Sequence, residues 1–104
     1  MDRHRSEDLF LSSIDRGLDT FGSNVRLVVY YELKNLFGIT RNDIPLRPEC
    51  FVKIIERLFG VGARVVSRAI IKELEETSGV KDLSKKDLLT ALRTAYHEHL
   101  ASES

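Results

Sequence analysis

The polar pattern with the clearest geometry is a row of three cations, Arg64, Arg68 and Lys72, spaced i, i+4, i+8. On an α-helix that spacing lines all three along one face. Like charges so placed repel mildly, and Arg64 would stand near the positive end of the helix dipole, which disfavours a cation. A locally unfavourable arrangement of this sort marks a place for an anion or an acidic partner surface. The structural alternative is neutralisation within the fold by Glu56, Glu73 or another carboxylate. Arg64, Arg68 and Lys72 are therefore the candidate contacts to an anion or a partner.

Other side chains with reactive potential do not assemble into a site by spacing. His97 and His99 are two apart on a predicted helix and point to different faces, and no HExxH spacing exists. His4 belongs to the charged N-terminus. Cys50 has no second cysteine to share a metal with, so no metal is implied. It falls near a helix start, where the dipole lowers a thiol pKa, but no histidine–carboxylate pair accompanies it; a small, partly buried residue is the expectation. Asp15 and Asp19 share a helix face with Arg16 beside them and read as a solvated charged surface. The GVG tripeptide after Phe59 breaks a helix and lacks the strand that a phosphate cradle follows. No catalytic set and no cofactor emerge, so the expectation is a chain that is not an enzyme. Tyr30 and Tyr31 read as core residues whose hydroxyls reach polar partners. Their neighbour Glu32 must then lie at the rim or pair with an arginine.

These side chains must be positioned by a short chain. Its 104 residues make room for one domain, 1–104, with 1–6 and 101–104 expected to fray. Hydrophobic residues at 42% allow a core, and sixteen Lys+Arg balance sixteen Asp+Glu. That balance excludes binding nucleic acid by bulk charge. A single cysteine excludes an internal disulfide framework and suits a reducing compartment. The apolar run at Val28 to Tyr31 is far short of the ~20 residues of a membrane span, and MDRHRSED lacks the apolar stretch of a signal peptide. A cytoplasmic protein with no membrane contact is expected.

Periodicity assigns an all-α class: a compact single-domain bundle of about five helices plus a short helical turn. Gly22, Gly38, Gly60 and Gly79 each close a helical stretch, as left-handed C-caps require. The first helix is predicted from Ser6 as N-cap, with the stripe Phe10, Leu11, Ile14, Leu18 and Phe21. Gly17 inside it costs ~1 kcal/mol against alanine and marks a close helix approach. The second, Asn24 to Phe37, carries apolar residues round nearly its whole circumference, which predicts a central, fully buried helix. A helical turn is predicted around Thr40 to Asp43. The third starts at Pro48, buries Phe51, Ile54, Ile55, Leu58 and Phe59, and pairs Glu49 with Lys53 on its outer face. The fourth, Ala63 to Thr77, buries Val66, Ala69, Ile70 and Leu74, with Val65 and Ile71 broadening that face. Ser84 and Asp87 make a capping-box-like start to the fifth, whose stripe runs from Leu88 to Leu100.

An offset of 38 residues aligns Phe21-Gly22 with Phe59-Gly60, Arg26 with Arg64, Val28 with Val66 and Leu36 with Leu74. This reads either as a duplicated helix-pair unit or as the chance likeness of amphipathic helices with glycine caps. The segments IDRGLDTFGSNVRLVVYYELKNLFGI and DIPLRPECFVKIIERLFGVGARVVSRAIIKEL resemble a small archaeal all-helical family, the Nitrosopumilus output domain. The likeness rests on Gly17-Leu18-Asp19, Phe21-Gly22, Tyr30-Tyr31-Glu32, Ile44-Pro45, Pro48-Glu49 and FGVGA from Phe59, and spans roughly residues 9 to 80. It implies a domain of unknown function found alone or beside signalling modules, with no catalytic residues to carry over.

Three functions remain open. The first is a non-enzymatic module for protein–protein interaction or signal output, with a protein partner or self-association. The second is a DNA-binding regulator using the helix pair 48–77, with Arg64, Arg68 and Lys72 on phosphates; zero net charge and the apolar Val65, Val66 and Ala69 at the start of its recognition helix oppose it. The third is a small-ligand pocket lined by Tyr30, Tyr31 and Phe51.

Overall fold

The computed structural model describes the backbone of residues 3–103 and the side chains of residues 7–98. Five α-helices follow in order: α1 (Arg3–Asp19), α2 (Val25–Phe37), α3 (Pro48–Phe59), α4 (Ala63–Ser78) and α5 (Leu88–Glu103). Single 3₁₀ turns occupy Arg41–Asp43, Gly60–Gly62 and Leu83–Lys85. No strand occurs among the described residues. The class is all-α, and a radius of gyration of 12.7 Å matches the ~13 Å of a compact chain near 100 residues.

Local chemistry explains most helix limits. Pro48 takes the first position of α3, where its missing N–H is no loss. Gly38 and Gly79 adopt φ of 69° and 74°, and their N–H groups donate to the carbonyls of Lys34 and Glu75, closing α2 and α4. Thr40 donates its N–H to Asp43 Oδ2 at 2.9 Å, holding the predicted turn. Two caps differ from expectation. Ser6 is not the start of α1, which already runs from Arg3. At α5 the capping carboxylate is Asp87, accepting the Thr90 N–H at 2.7 Å, whereas Ser84 lies in the preceding 3₁₀ turn and donates its own N–H to Glu75 Oε2 at 3.0 Å. Of the residues expected to fray, 3–6 and 101–103 belong to the helical backbones of α1 and α5, whereas 1, 2 and 104 lie outside the described residues, as does the side chain of Leu100.

The helix at the centre is α4, and not α2 as its apolar circumference predicts. Val66, Ile70, Ile71 and Leu74 of α4 are buried, and α1, α3 and α5 all pack on it, α1 most extensively. Gly17 makes that possible: a Cβ at this position would lie 2.7 Å from Ile70 Cα, so the α1 and α4 backbones nearly touch. Phe10, Leu11, Ile14 and Leu18 fill the rest of the seam. Along its edge the Ser13 and Thr77 hydroxyls share a 2.7 Å hydrogen bond, and Arg16 donates to Thr77 at 2.8 Å and to Glu73 at 2.9 Å. By contrast α2 buries only Val29 and Leu33 completely, against α3 and α1. Leu27, Val28, Tyr31, Leu36 and Phe37 are exposed, so Tyr31 is no core residue. Amphipathicity counts apolar faces but does not say which of them another helix will cover, and the chain has too few helices to surround α2.

Polar ties hold α2 in place. Asp15, 14% exposed, accepts the Tyr30 hydroxyl at 2.6 Å and Arg41 Nη2 at 2.8 Å, with Arg26 Nη1 at 3.5 Å. It is a joint between α1, α2 and the 3₁₀ turn, where a solvated face was expected. Burial, then the hydrogen bond to Asp15, pushes the Tyr30 phenol well above its usual range. The expected Glu49–Lys53 pair does not form, because Glu49 meets Arg47 at 3.1 Å and Arg93 at 4.0 Å.

The two units at the 38-residue offset share the order helix, glycine, helix, glycine, and both Gly22 and Gly60 have positive φ. Burial separates them: Val28 is 51% exposed where its counterpart Val66 is 3% exposed.

Candidate functional site

Arg64, Arg68 and Lys72 are all exposed on α4. Four residues overshoot a helical turn by about 40°, so the row drifts round the helix axis. Arg64 and Arg68 consequently edge a groove between α3, α4 and the approach to α5, whereas Lys72 has turned out of it. The groove encloses about 770 Å³. Val52 and Ile55 from α3, Ile71 from α4, and Leu88 and Leu89 from α5 give it an aliphatic lining.

The chain's return from α4 to α5 brings two further cations, Lys85 and Lys86, to the same rim. Sequence reasoning missed them. The only signal was the Lys85-Lys86 pair itself, and nothing local connects it with α4. Glu56 and Asp87 also line the groove, so four cations face two carboxylates. Asp87 is engaged as the cap of α5, and the Thr90 N–H holds its carboxyl below the usual range. Among the described residues Arg64, Arg68, Lys72 and Lys86 form no ion pair, and Lys85 reaches only the exposed Asp82 at 3.7 Å. Among the described residues the row is not neutralised internally: Glu73 is bound to Arg16, and Glu56 meets none of these cations within salt-bridge distance. Val65, expected to widen the buried face of α4, is exposed.

Charged groups round an aliphatic lining can hold an anionic chain that also carries apolar side chains. Nothing in the groove resembles a nucleophile with its base. Cys50 is buried, with Arg47 Nη2 3.6 Å from its Sγ. His97 is exposed, and the side chains of His4 and His99 lie outside the described residues. Among the described residues no three His, Cys, Asp or Glu side chains are grouped to hold a metal ion. Tyr30, Tyr31 and Phe51 do not share a pocket lining, since Phe51 is fully buried and Tyr31 faces solvent. No described helix is long and apolar enough to cross a membrane. Compared with family models, curated proteins and solved structures, the chain matches none, and its functional reading rests on the groove itself.

Proposed function

We propose that the chain is a non-enzymatic helical module for protein–protein interaction or signal output, and that its groove takes an acidic, partly apolar segment of a partner protein. The observation that carries this reading is the set of unpaired cations, Arg64, Arg68 and Lys86, over an aliphatic lining. Exposed ion pairs contribute only ~0.2–1 kcal/mol each, so affinity would be shared between charge and apolar burial. Binding would be salt-sensitive and micromolar rather than tight. The signalling context is the one implied by the resemblance to the Nitrosopumilus output domain, and a cytoplasmic setting suits the lone thiol.

The test is titration of a fluorescent peptide alternating Glu with Leu against the wild type and the Arg64→Ala/Arg68→Ala/Lys86→Ala variant. Saturable binding that weakens about tenfold or more in the variant supports the proposal. Equal binding by both proteins, or none, removes it. The exposure of Arg64, Arg68 and Lys72 along one helix also keeps a DNA-binding regulator using the pair 48–77 as the alternative. Three phosphate contacts would give a slope of log K on log salt near −2.7. A duplex gel shift that survives about 0.15 M salt and is lost on replacing Arg64, Arg68 and Lys72 by alanine would favour that alternative.

A further inference from the structure

The face of α2 turned away from the core carries Val28, Tyr31 and Asn35, and the N-cap Asn24, whose carbonyl accepts the Val28 N–H at 3.1 Å, continues the row; all four are exposed and are spaced four, three and four residues apart. Leu27 lies beside this row, 63% exposed, with Tyr31 69% exposed. A 4-3-4 spacing is the seam of a two-helix coiled coil. The row also reads the same in both directions: an amide, an apolar residue, an apolar residue, an amide. Reversing one copy sets Asn24 opposite Asn35 and Val28 opposite Tyr31, twice over, about a two-fold axis.

We propose that two copies of this chain associate through α2, packed antiparallel along this row. A two-fold contact requires a patch complementary to itself, and palindromic spacing is what makes a helix face so. Side-chain amides both donate and accept, so Asn24 and Asn35 of opposite copies pair without leaving a buried group unsatisfied, and they set the register. No charge lies in the seam, and sixteen cations against sixteen carboxylates leave no net repulsion between copies. The association also accounts for the exposure of Leu27, Val28 and Tyr31 on a helix that buries only Val29 and Leu33 completely within its own chain. A single 13-residue helix presents less area than a standard interface, so the dimer is a weak, concentration-dependent one. No α2 residue lines the basic groove, so this inference stands or falls separately from the groove reading.

Sedimentation of the full chain across a concentration series tests it. The expected result is a mass rising from one chain to two, with association weakened about tenfold or more in a Val28→Glu/Tyr31→Glu variant and in a Val28→Lys/Tyr31→Lys variant. Mixing the two variants should restore a heterodimer, because each acidic position then faces a basic one. Circular dichroism confirms that each stays folded. If a pair of charges disturbs α2, Asn24→Asp/Asn35→Asp sets like charges opposite one another without touching the core and should weaken association in the same way. The Arg64→Ala/Arg68→Ala/Lys86→Ala variant should associate like wild type. A single-chain mass up to on the order of 1 mM, undiminished association of the charged variants, or failure of the mixture to recover would each overturn the proposal.

Discussion

At the residue scale the most constrained position is Gly17. A Cβ there would stand 2.7 Å from Ile70 Cα and 3.0 Å from Ile70 N, backbone atoms that move only if α1 and α4 separate. Alanine has the better helix propensity by ~1 kcal/mol, but overpacking typically costs ~1–3 kcal/mol. Gly17→Ala should therefore lower the midpoint of thermal unfolding, and Gly17→Leu should lower it further. A rise in either midpoint would place residue 17 at the surface. Val28 and Val66 make a second comparison, equivalent in the repeat but opposite in burial. Val66→Asp should unfold the chain, since an unpaired buried charge costs several kcal/mol against a total stability of ~5–15 kcal/mol. Val28→Asp at an exposed position should change stability by less than ~1 kcal/mol. Urea titrations of the two variants would decide it, and equal losses would contradict the exposure of α2.

Helix ends and helix-to-helix ties belong to the scale of elements. The start of α5 depends on Asp87, so Asp87→Ala should cost ~1 kcal/mol while Asp87→Asn costs less. Because its folded pKa is depressed, the Asp87 contribution is present above the carboxylate's unfolded pKa and is lost as pH falls through the folded value. The denaturant midpoints of wild type and Asp87→Ala should therefore converge as pH is lowered from neutral through the folded value of Asp87. The tie between α1 and α2 behaves oppositely. Tyr30 has a raised folded pKa, so its contribution is complete below the unfolded phenol's value of 10.0 and declines as pH rises beyond it. Tyr30→Phe should lose ~1 kcal/mol at neutral pH and show a shallower fall in stability above pH 10 than wild type. A parallel fall in both proteins would mean that the Tyr30 phenol is neither buried nor bonded to Asp15.

For the whole molecule, the arrangement round α4 separates stability from binding. The buried stripe of α4 holds α1, α3 and α5 together, while the cations on its flank form no ion pair among the described residues. Replacing Arg64, Arg68 and Lys86 by alanine should thus leave the unfolding midpoint within the ~0.5 kcal/mol typical of surface changes. A larger loss in calorimetry would show that these side chains support the fold. The two proposed surfaces, groove and α2 face, are built differently, one from charge above an aliphatic lining and the other from a neutral palindromic row. Salt should therefore weaken the first contact and leave the second nearly unchanged.

Residue type and spacing alone establish the all-α class, the five helices and most of their limits. They also mark Gly17 as a close approach and Pro48, Gly38 and Gly79 as helix ends. All of these follow from chemistry acting within one or two helical turns, where residue type and spacing suffice. Tertiary structure alone decided which helix is central, because burial depends on which faces distant segments cover. On composition α2 outranks α4, yet α4 is the one surrounded. The same holds for Asp15 meeting Arg41, and for Lys85 and Lys86 joining Arg64 and Arg68. Each of those meetings joins residues far apart in the chain, and only the packing of whole helices brings them within reach.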